Sequence, residues 1–285
     1  MERLEAHREF FANLITASAG LPQGEGRLFT AFASVPRERF VGPGPWRIFT
    51  AAGFVETPTD DPAFLYQDVV VAIAPERKIN NGQPLLHAIS LAALDVKEGE
   101  TVIHVGAGTG YYTAVIAKLV GPSGCVHAFE VEQDLAERAT GNLSEYGTVI
   151  VHHSSGTEGT LPMCDAIYVS AGATAPLDIW LDALRERGRL LFPLTPDGER
   201  DGTPGVGGML LITRTGTDRF DARFVSRAAF IPCVGARDDE TAKKLSLAFK
   251  RGDCRNVKSL RRDVEPDESC WCSGHGWWLS TSEAK

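Results

Sequence analysis

The stretch that decides the fold is Val102-Ile-His-Val-Gly106-Ala-Gly108-Thr-Gly110-Tyr-Tyr-Thr113. Residues 101–105 read as a short apolar strand. Three glycines at alternate positions follow, and residues 111–120 read as a helix stopped by Gly121-Pro122. Glycine lets a backbone turn sharply and approach a ligand closely, and the start of a helix presents N–H groups. The dinucleotide fingerprint is G-x-G-x-x-G. Here Tyr111 follows Gly110, so the pattern is G-x-G-x-G.

Outward from this turn the chain alternates strands and helices. Residues 125–130 read as a second strand, 133–145 as a helix, 149–153 as a third strand, 166–170 as a fourth and 189–193 as a fifth, with a helix at 176–187. Such alternation predicts βαβ units and an α/β, Rossmann-like, doubly wound, mostly parallel sheet. Residues 209–213 and 220–228 read as a closing hairpin. On the N-terminal side, 2–19 and 26–33 are amphipathic helices, 42–63 is irregular, 66–74 is extended and 85–94 is helical. The expected organisation is a body of residues 1–228, with an N-terminal helical part (1–80) and a Rossmann-like core (81–228), followed by a C-terminal extension, 229–285.

Composition narrows the class. The 285 residues are 43% hydrophobic and 23% charged, which excludes whole-chain disorder. Nothing approaches the ~18 uninterrupted apolar residues of a spanning helix. The start, MERLEAHREFF, lacks the apolar core of a secretory signal, so six scattered cysteines are expected to be reduced thiols and the protein cytoplasmic. A net charge of −8 opposes a general nucleic-acid role, and the basic run at 243–262 reads as a solvated helix face. Cys254, Cys270, Cys272 and His275 lack the paired C-x-x-C spacing of structural zinc sites, so no metal is expected. The three tryptophans at 271, 277 and 278 should pack back on the body.

Glu130 ends the second strand, twenty residues after Gly110. An acid there can accept hydrogen bonds from both hydroxyls of an adenosine ribose. Ligands of open parallel sheets sit beyond the strands' carboxyl ends, so the loop at 154–159 is expected beside the adenine and 170–174 at the reacting end. The G-x-G-x-G spacing is similar to the first motif of S-adenosylmethionine-dependent methyltransferases.

Further segments resemble one family of these. Val35-Pro-Arg-Glu-Arg-Phe-Val41, Phe64-Leu-Tyr-Gln-Asp68, Gln83-Pro84 with Ala88, Val102 to Ala114, Asp165-Ala-Ile-Tyr-Val-Ser-Ala-Gly-Ala173 and Gly188-Arg-Leu-Leu-Phe-Pro193 are similar, in order, to motifs of protein-L-isoaspartate O-methyltransferases. The resemblance implies a class I methyltransferase fold, S-adenosyl-L-methionine as cofactor, and a carboxylate acceptor on a peptide or protein. It places Gly106, Ala107, Gly108, Thr109, Gly110, Glu130, Ser155 and Gly156 at the cofactor. Asn80, Asn81, Gln83 and His87 fall on the acceptor side. The chain departs from the family at four points, one being Gly207-Gly208 where the family often has Asn-Gln before its sixth strand. Lys78-Ile-Asn-Asn-Gly-Gln-Pro84 is two residues longer and lacks the usual hydroxyl, His104 stands for an acid, and Ser154-Ser155-Gly156 replaces Gly-Asp-Gly.

A carboxylate is ionised at neutral pH, its pKa being about 4. Such an acceptor needs no general base, and carboxamides could orient it. His104 is expected to support the glycine turn, and at most one of His152 and His153 can face the ligand. Two other readings stay open at this level: a tRNA adenine methyltransferase, favoured by the basic run, and a non-catalytic interaction module that keeps the fold.

Overall fold

A computed structural model describes residues 2–50, 52–198, 205–262 and 265–284. Three helices open the chain: α1 (Glu2–Ser18), α2 (Arg27–Ser34) and the short α3 (Glu38–Val41). Two small hairpins follow, β1 (Arg47–Thr50) with β2 (Gly53–Glu56) and β3 (Ala72–Ala74) with β4 (Ile79–Asn80), before α4 (Pro84–Leu94). The alternating region runs β5 (Thr101–Val105), α5 (Tyr111–Val120), β6 (Cys125–Glu130), α6 (Gln133–Asn142), β7 (Val149–His153), β8 (Cys164–Val169), α7 (Asp178–Ala183) and β9 (Leu184–Leu194). The chain ends with β10 (Gly207–Gly216), β11 (Arg219–Ala228), α8 (Asp239–Arg251), β12 (Ser259–Arg261), β13 (Cys270–Gly274) and β14 (Trp277–Ser280).

Two compact units are present: Met1–Gly99 with Ala107–His153, and Glu100–Gly106 with Ser154–Lys285. In the first, α1 and α2 pack through Phe11 and Phe32, whose rings meet edge to face at 6.4 Å. Complete burial of each ring contributes about 1.5–3 kcal/mol. Arg37 is fully buried, with its Nε left without a partner and its two terminal nitrogens used. It donates to the carbonyls of Leu65 (2.6 Å), Gln67 (3.0 Å) and Val69 (2.6 Å), pinning the segment ahead of β3. β6 and β7 pair in parallel with Glu130 opposite His153.

In the second unit β5, β8 and β9 pair in parallel, so every parallel ladder comes from the alternating stretch. From β9 onward the pairing is antiparallel, in the order β9-β10-β11-β12-β14-β13. The segment after residue 238 therefore lengthens a sheet. Asp238 caps α8, its carboxylate accepting the Thr241 N–H at 2.7 Å, with acids in the first turn and Lys250 and Arg251 in the last. Trp271, Phe249 and Phe224 meet edge to face, with centroids 5.1–5.5 Å apart.

Three sequence expectations need correction. Residues 42–63 contain a hairpin, because the alternating RIFT and GFVE strands were hidden among Pro and Gly. The extended stretch at 66–74 is a strand only at Ala72–Ala74. The helix at 176–187 stops at Ala183, since pairing of Leu184 with Cys164 draws the following residues into β9. The aromatic tail is a hairpin, and all three of its tryptophans are buried as expected.

Trp271→Ala would empty the centre of the aromatic trio and strand Asp253, which accepts the indole N–H at 2.9 Å. The expected loss is about 3–5 kcal/mol, read as a lower urea midpoint by circular dichroism.

Candidate active site

The glycine turn and the end of β6 are held together by main-chain bonds. Ala107 N–H donates to Phe129 O at 3.1 Å and Gly110 N–H to Ala107 O at 3.0 Å. Gly108 N–H donates to Glu130 Oε2 at 2.6 Å, and Glu132 N–H to Glu130 Oε1 at 3.0 Å. The N–H groups of Ala107, Gly108 and Gly110 are thus occupied, which suits a sulfonium ligand better than a pyrophosphate, since the latter needs such donors.

What the turn does offer is room. At Gly108 (φ +57°) an added Cβ would meet nothing within 4 Å, so space lies open above the backbone. Glu130 is only 6% exposed. Burial raises its carboxyl above the ordinary value, against the pull of the Glu132, Gly108 and Val131 N–H groups. The two carboxylate oxygens carry four lone pairs, more than these backbone donors use. A turn with space and a carboxylate that can still accept a hydrogen bond fits an adenosyl group. Thr109 contributes no side chain to it, because its hydroxyl donates to Phe40 O at 2.5 Å.

Gly106, Ser155 and Gly156 belong to the second unit. Ser155 Oγ lies 2.7 Å from Thr157 Oγ1 in a local turn, and Gly156 O accepts the Trp180 indole N–H at 2.8 Å. His104, also in this unit, is buried and its Nε2 lies 3.0 Å from Ser170 Oγ. This contact ties it to the loop after β8. Burial pushes its pKa down to about 3, so the ring stays neutral.

On the acceptor side, Asn81 is locked to Val71 twice: its backbone N–H donates to Val71 O at 3.0 Å, and its Oδ1 accepts the Val71 N–H at 2.9 Å. That orientation turns Nδ2 the other way, where it is buried without a hydrogen-bond partner. Asn80 Oδ1 accepts the Gly82 N–H at 2.9 Å. Gln83 Nε2 donates to Asp68 Oδ2 at 2.8 Å, and Asp68 Oδ1 accepts the Leu85 N–H at 2.8 Å, capping α4 from outside. Asp68 was given no role from sequence, although it closes the FLYQD motif. His87 is 2% exposed and stacks face to face on Tyr112 at 3.5 Å. Of the paired histidines, His152 stacks on Phe129 and lies 3.0 Å from His127, while His153 shares Glu130's face by register.

Comparison with known proteins decides the family. Residues 23–238 match the family described as Protein-L-isoaspartate(D-aspartate) O-methyltransferase. The Rhodopseudomonas palustris protein-L-isoaspartate O-methyltransferase is 31% identical over 216 residues, 74% of this chain and 86% of that one. The Methanothermobacter thermautotrophicus enzyme is 30% identical over 72% and 85% of the two chains.

The chain belongs to the protein-L-isoaspartate O-methyltransferase family.

It is therefore a member of the S-adenosylmethionine-dependent methyltransferases, with their class I α/β fold. A solved protein-L-isoaspartate O-methyltransferase superimposes with a TM-score of 0.64 at 22% identity, over 85% of this chain and 69% of that one. A Plasmodium falciparum structure of the same putative activity, in complex with S-adenosyl-L-homocysteine, gives 0.61 at 20% identity, over 80% and 98%. The match reaches residue 238, beyond the end of β11 at Ala228. The tRNA adenine methyltransferase alternative falls with this assignment.

His104 supplies a pH test. Its folded pKa of about 3 lies below the unfolded 6.5, so the unfolded chain protonates first and stability falls as pH drops from 6.5 toward 3. His104→Gln, which cannot titrate, should lose about 2 kcal/mol less than the wild type between pH 7 and 5. Urea midpoints at both pH values measure this.

Proposed function

We propose that this chain transfers the sulfonium methyl of S-adenosylmethionine to a carboxylate of a peptide or protein, an isoaspartyl or aspartyl side chain. The observation that carries the reading is Glu130, bonded to Gly108 with acceptor capacity left beyond its backbone donors. Gly106, Ala107, Gly108, Gly110 and the Thr109 backbone shape the turn. Glu130 takes the ribose hydroxyls, and Ser155 with Gly156 is assigned to the base. When bound, the cofactor supplies a methyl on a positively charged sulfur, already a good electrophile.

The protein's remaining task is alignment and exclusion of water. An ionised carboxylate needs no base, which agrees with an acceptor segment of amides. Asn80, Asn81 and Gln83 supply hydrogen-bonding groups, and His87 supports Gly82 from below. At Gly82 (φ +72°) a Cβ would stand 2.2 Å from His87 Nε2, so the two residues are packed for each other.

The body at 1–228 is proposed to carry the reaction, and the family match favours extending it to 238. Six free thiols favour a reducing, cytoplasmic compartment. Among the described residues no helix is long and apolar enough to cross a membrane. Nucleic acid is left out as a partner because the net charge is −8 and part of the basic run is engaged internally. Lys244 pairs with Glu240, Lys258 with Glu283, and Arg262 with Asp178 and Asp182.

The test uses two peptides of one sequence, one isoaspartyl and one aspartyl, with S-adenosylmethionine labelled in its methyl. Base-labile label in at least one is expected. Glu130→Ala should cut incorporation at subsaturating cofactor about 10–100-fold, the worth of hydrogen bonds to a charged group. Label in neither peptide, from protein that binds S-adenosylhomocysteine, would remove the carboxylate reading. Gly82→Ala should raise the acceptor KM while leaving S-adenosylhomocysteine affinity unchanged.

A further inference from the structure

We infer that Arg77 is a positioning residue that latches the acceptor-side hairpin to the turn holding the ribose. This rests on the reading of Glu130 as the ribose acceptor. Arg77 ends the tight turn Pro75–Arg77 between β3 and β4. Its guanidinium forks onto Asp134, with NH1 2.9 Å from Oδ1 and NH2 2.7 Å from Oδ2, and NH1 lies 2.5 Å from Glu132 Oε2. A planar fork on one carboxylate plus a second acid fixes direction as well as distance.

Both acids sit where β6 hands over to α6. Glu132 is the residue before the helix, and its backbone N–H holds Glu130 Oε1 at 3.0 Å. One residue is thus gripped by Arg77 through its side chain and grips Glu130 through its main chain. Glu130, Glu132 and Asp134 also crowd three acids into five residues. The Arg77 hydrogen bond draws the Asp134 carboxyl below its ordinary range, as expected for a formed ion pair.

Little slack exists on the other side of the latch. Lys78 turns through a left-handed conformation (φ 59°), Ile79 and Asn80 pair with Ala74 and Ala72, and Asn81 is bonded twice to Val71. A shift at Arg77 therefore moves Asn80 and Asn81 as a body. The cluster ties the groups proposed for the acceptor to the carboxylate proposed for the cofactor. Each exposed ion pair alone contributes little, so the expected effect is a few-fold change in binding, with a strong salt dependence.

The test combines calorimetry with S-adenosylhomocysteine and amide hydrogen exchange, at low and at roughly 1 M salt. In the wild type, ligand should slow exchange at residues 79–82, and high salt should weaken binding. Arg77→Gln should weaken binding about five-fold, remove the added protection at 79–82 and lose much of the salt dependence. Arg77→Lys should fall between, because an ammonium keeps the charge without the fork. Asp134→Asn should add nothing to Arg77→Gln in the double variant. Arg77→Gln with wild-type affinity and wild-type protection would overturn this inference alone. A wild type that does not bind S-adenosylhomocysteine would overturn the cofactor reading and this inference with it.

Discussion

A buried carboxylate braced by backbone N–H groups organises the first unit. Glu130 gives up water to sit at the end of β6, and an acid so placed is tolerated only with its oxygens satisfied. The N–H groups of Gly108, Glu132 and Val131 meet most of that need. The acceptor capacity that remains lies next to open space over a glycine. A pyrophosphate would repel such a group, and a hydroxyl complements it. The proposed recognition of a ribose rests on that remaining capacity.

Arg37 does the corresponding work for the segment proposed to face the acceptor. Its terminal nitrogens donate to three carbonyls between Leu65 and Val69, fixing the segment that carries Asp68. Asp68 then caps α4 and restrains Gln83. Buried arginine, extended segment, capping aspartate and helix start form one mechanical series, in which no member needs to touch a reacting atom. Replacing the family's hydroxyl by an asparagine is consistent with this frame: the carboxamide is anchored to Val71 through its oxygen, leaving its nitrogen as the group without a partner.

The alternating region was legible because strand and helix differ in hydrophobic period, and because glycines and Gly121-Pro122 mark its boundaries. β5, α5, β6 and β7 fall where the pattern puts them. Glu130 was found for the same reason, since a strand's last residue has a defined place relative to the turn. Three features escaped for physical reasons. The helix at 176–187 and the strand β9 compete for one amphipathic run, and cross-strand pairing at Leu184 decides between them. The engagement of the Ala107 and Gly108 N–H groups carried no local signal, because their partners, Phe129 O and the Glu130 carboxylate, come from another strand. Arg77 carried no local signal, its two acids lying 55 and 57 residues further along.

The account stands on the contact between the Glu130 carboxylate and a ribose, and one ligand pair isolates it. S-adenosylhomocysteine and its 2′-deoxy analogue differ by one hydroxyl, and their affinities should be compared by calorimetry in the wild type and in Glu130→Ala. The wild type should prefer the hydroxylated ligand about 10–100-fold, as a hydrogen bond to a charged acceptor requires, and the variant should bind the two alike. Equal affinities in the wild type, or a preference that survives loss of the carboxylate, would contradict the account.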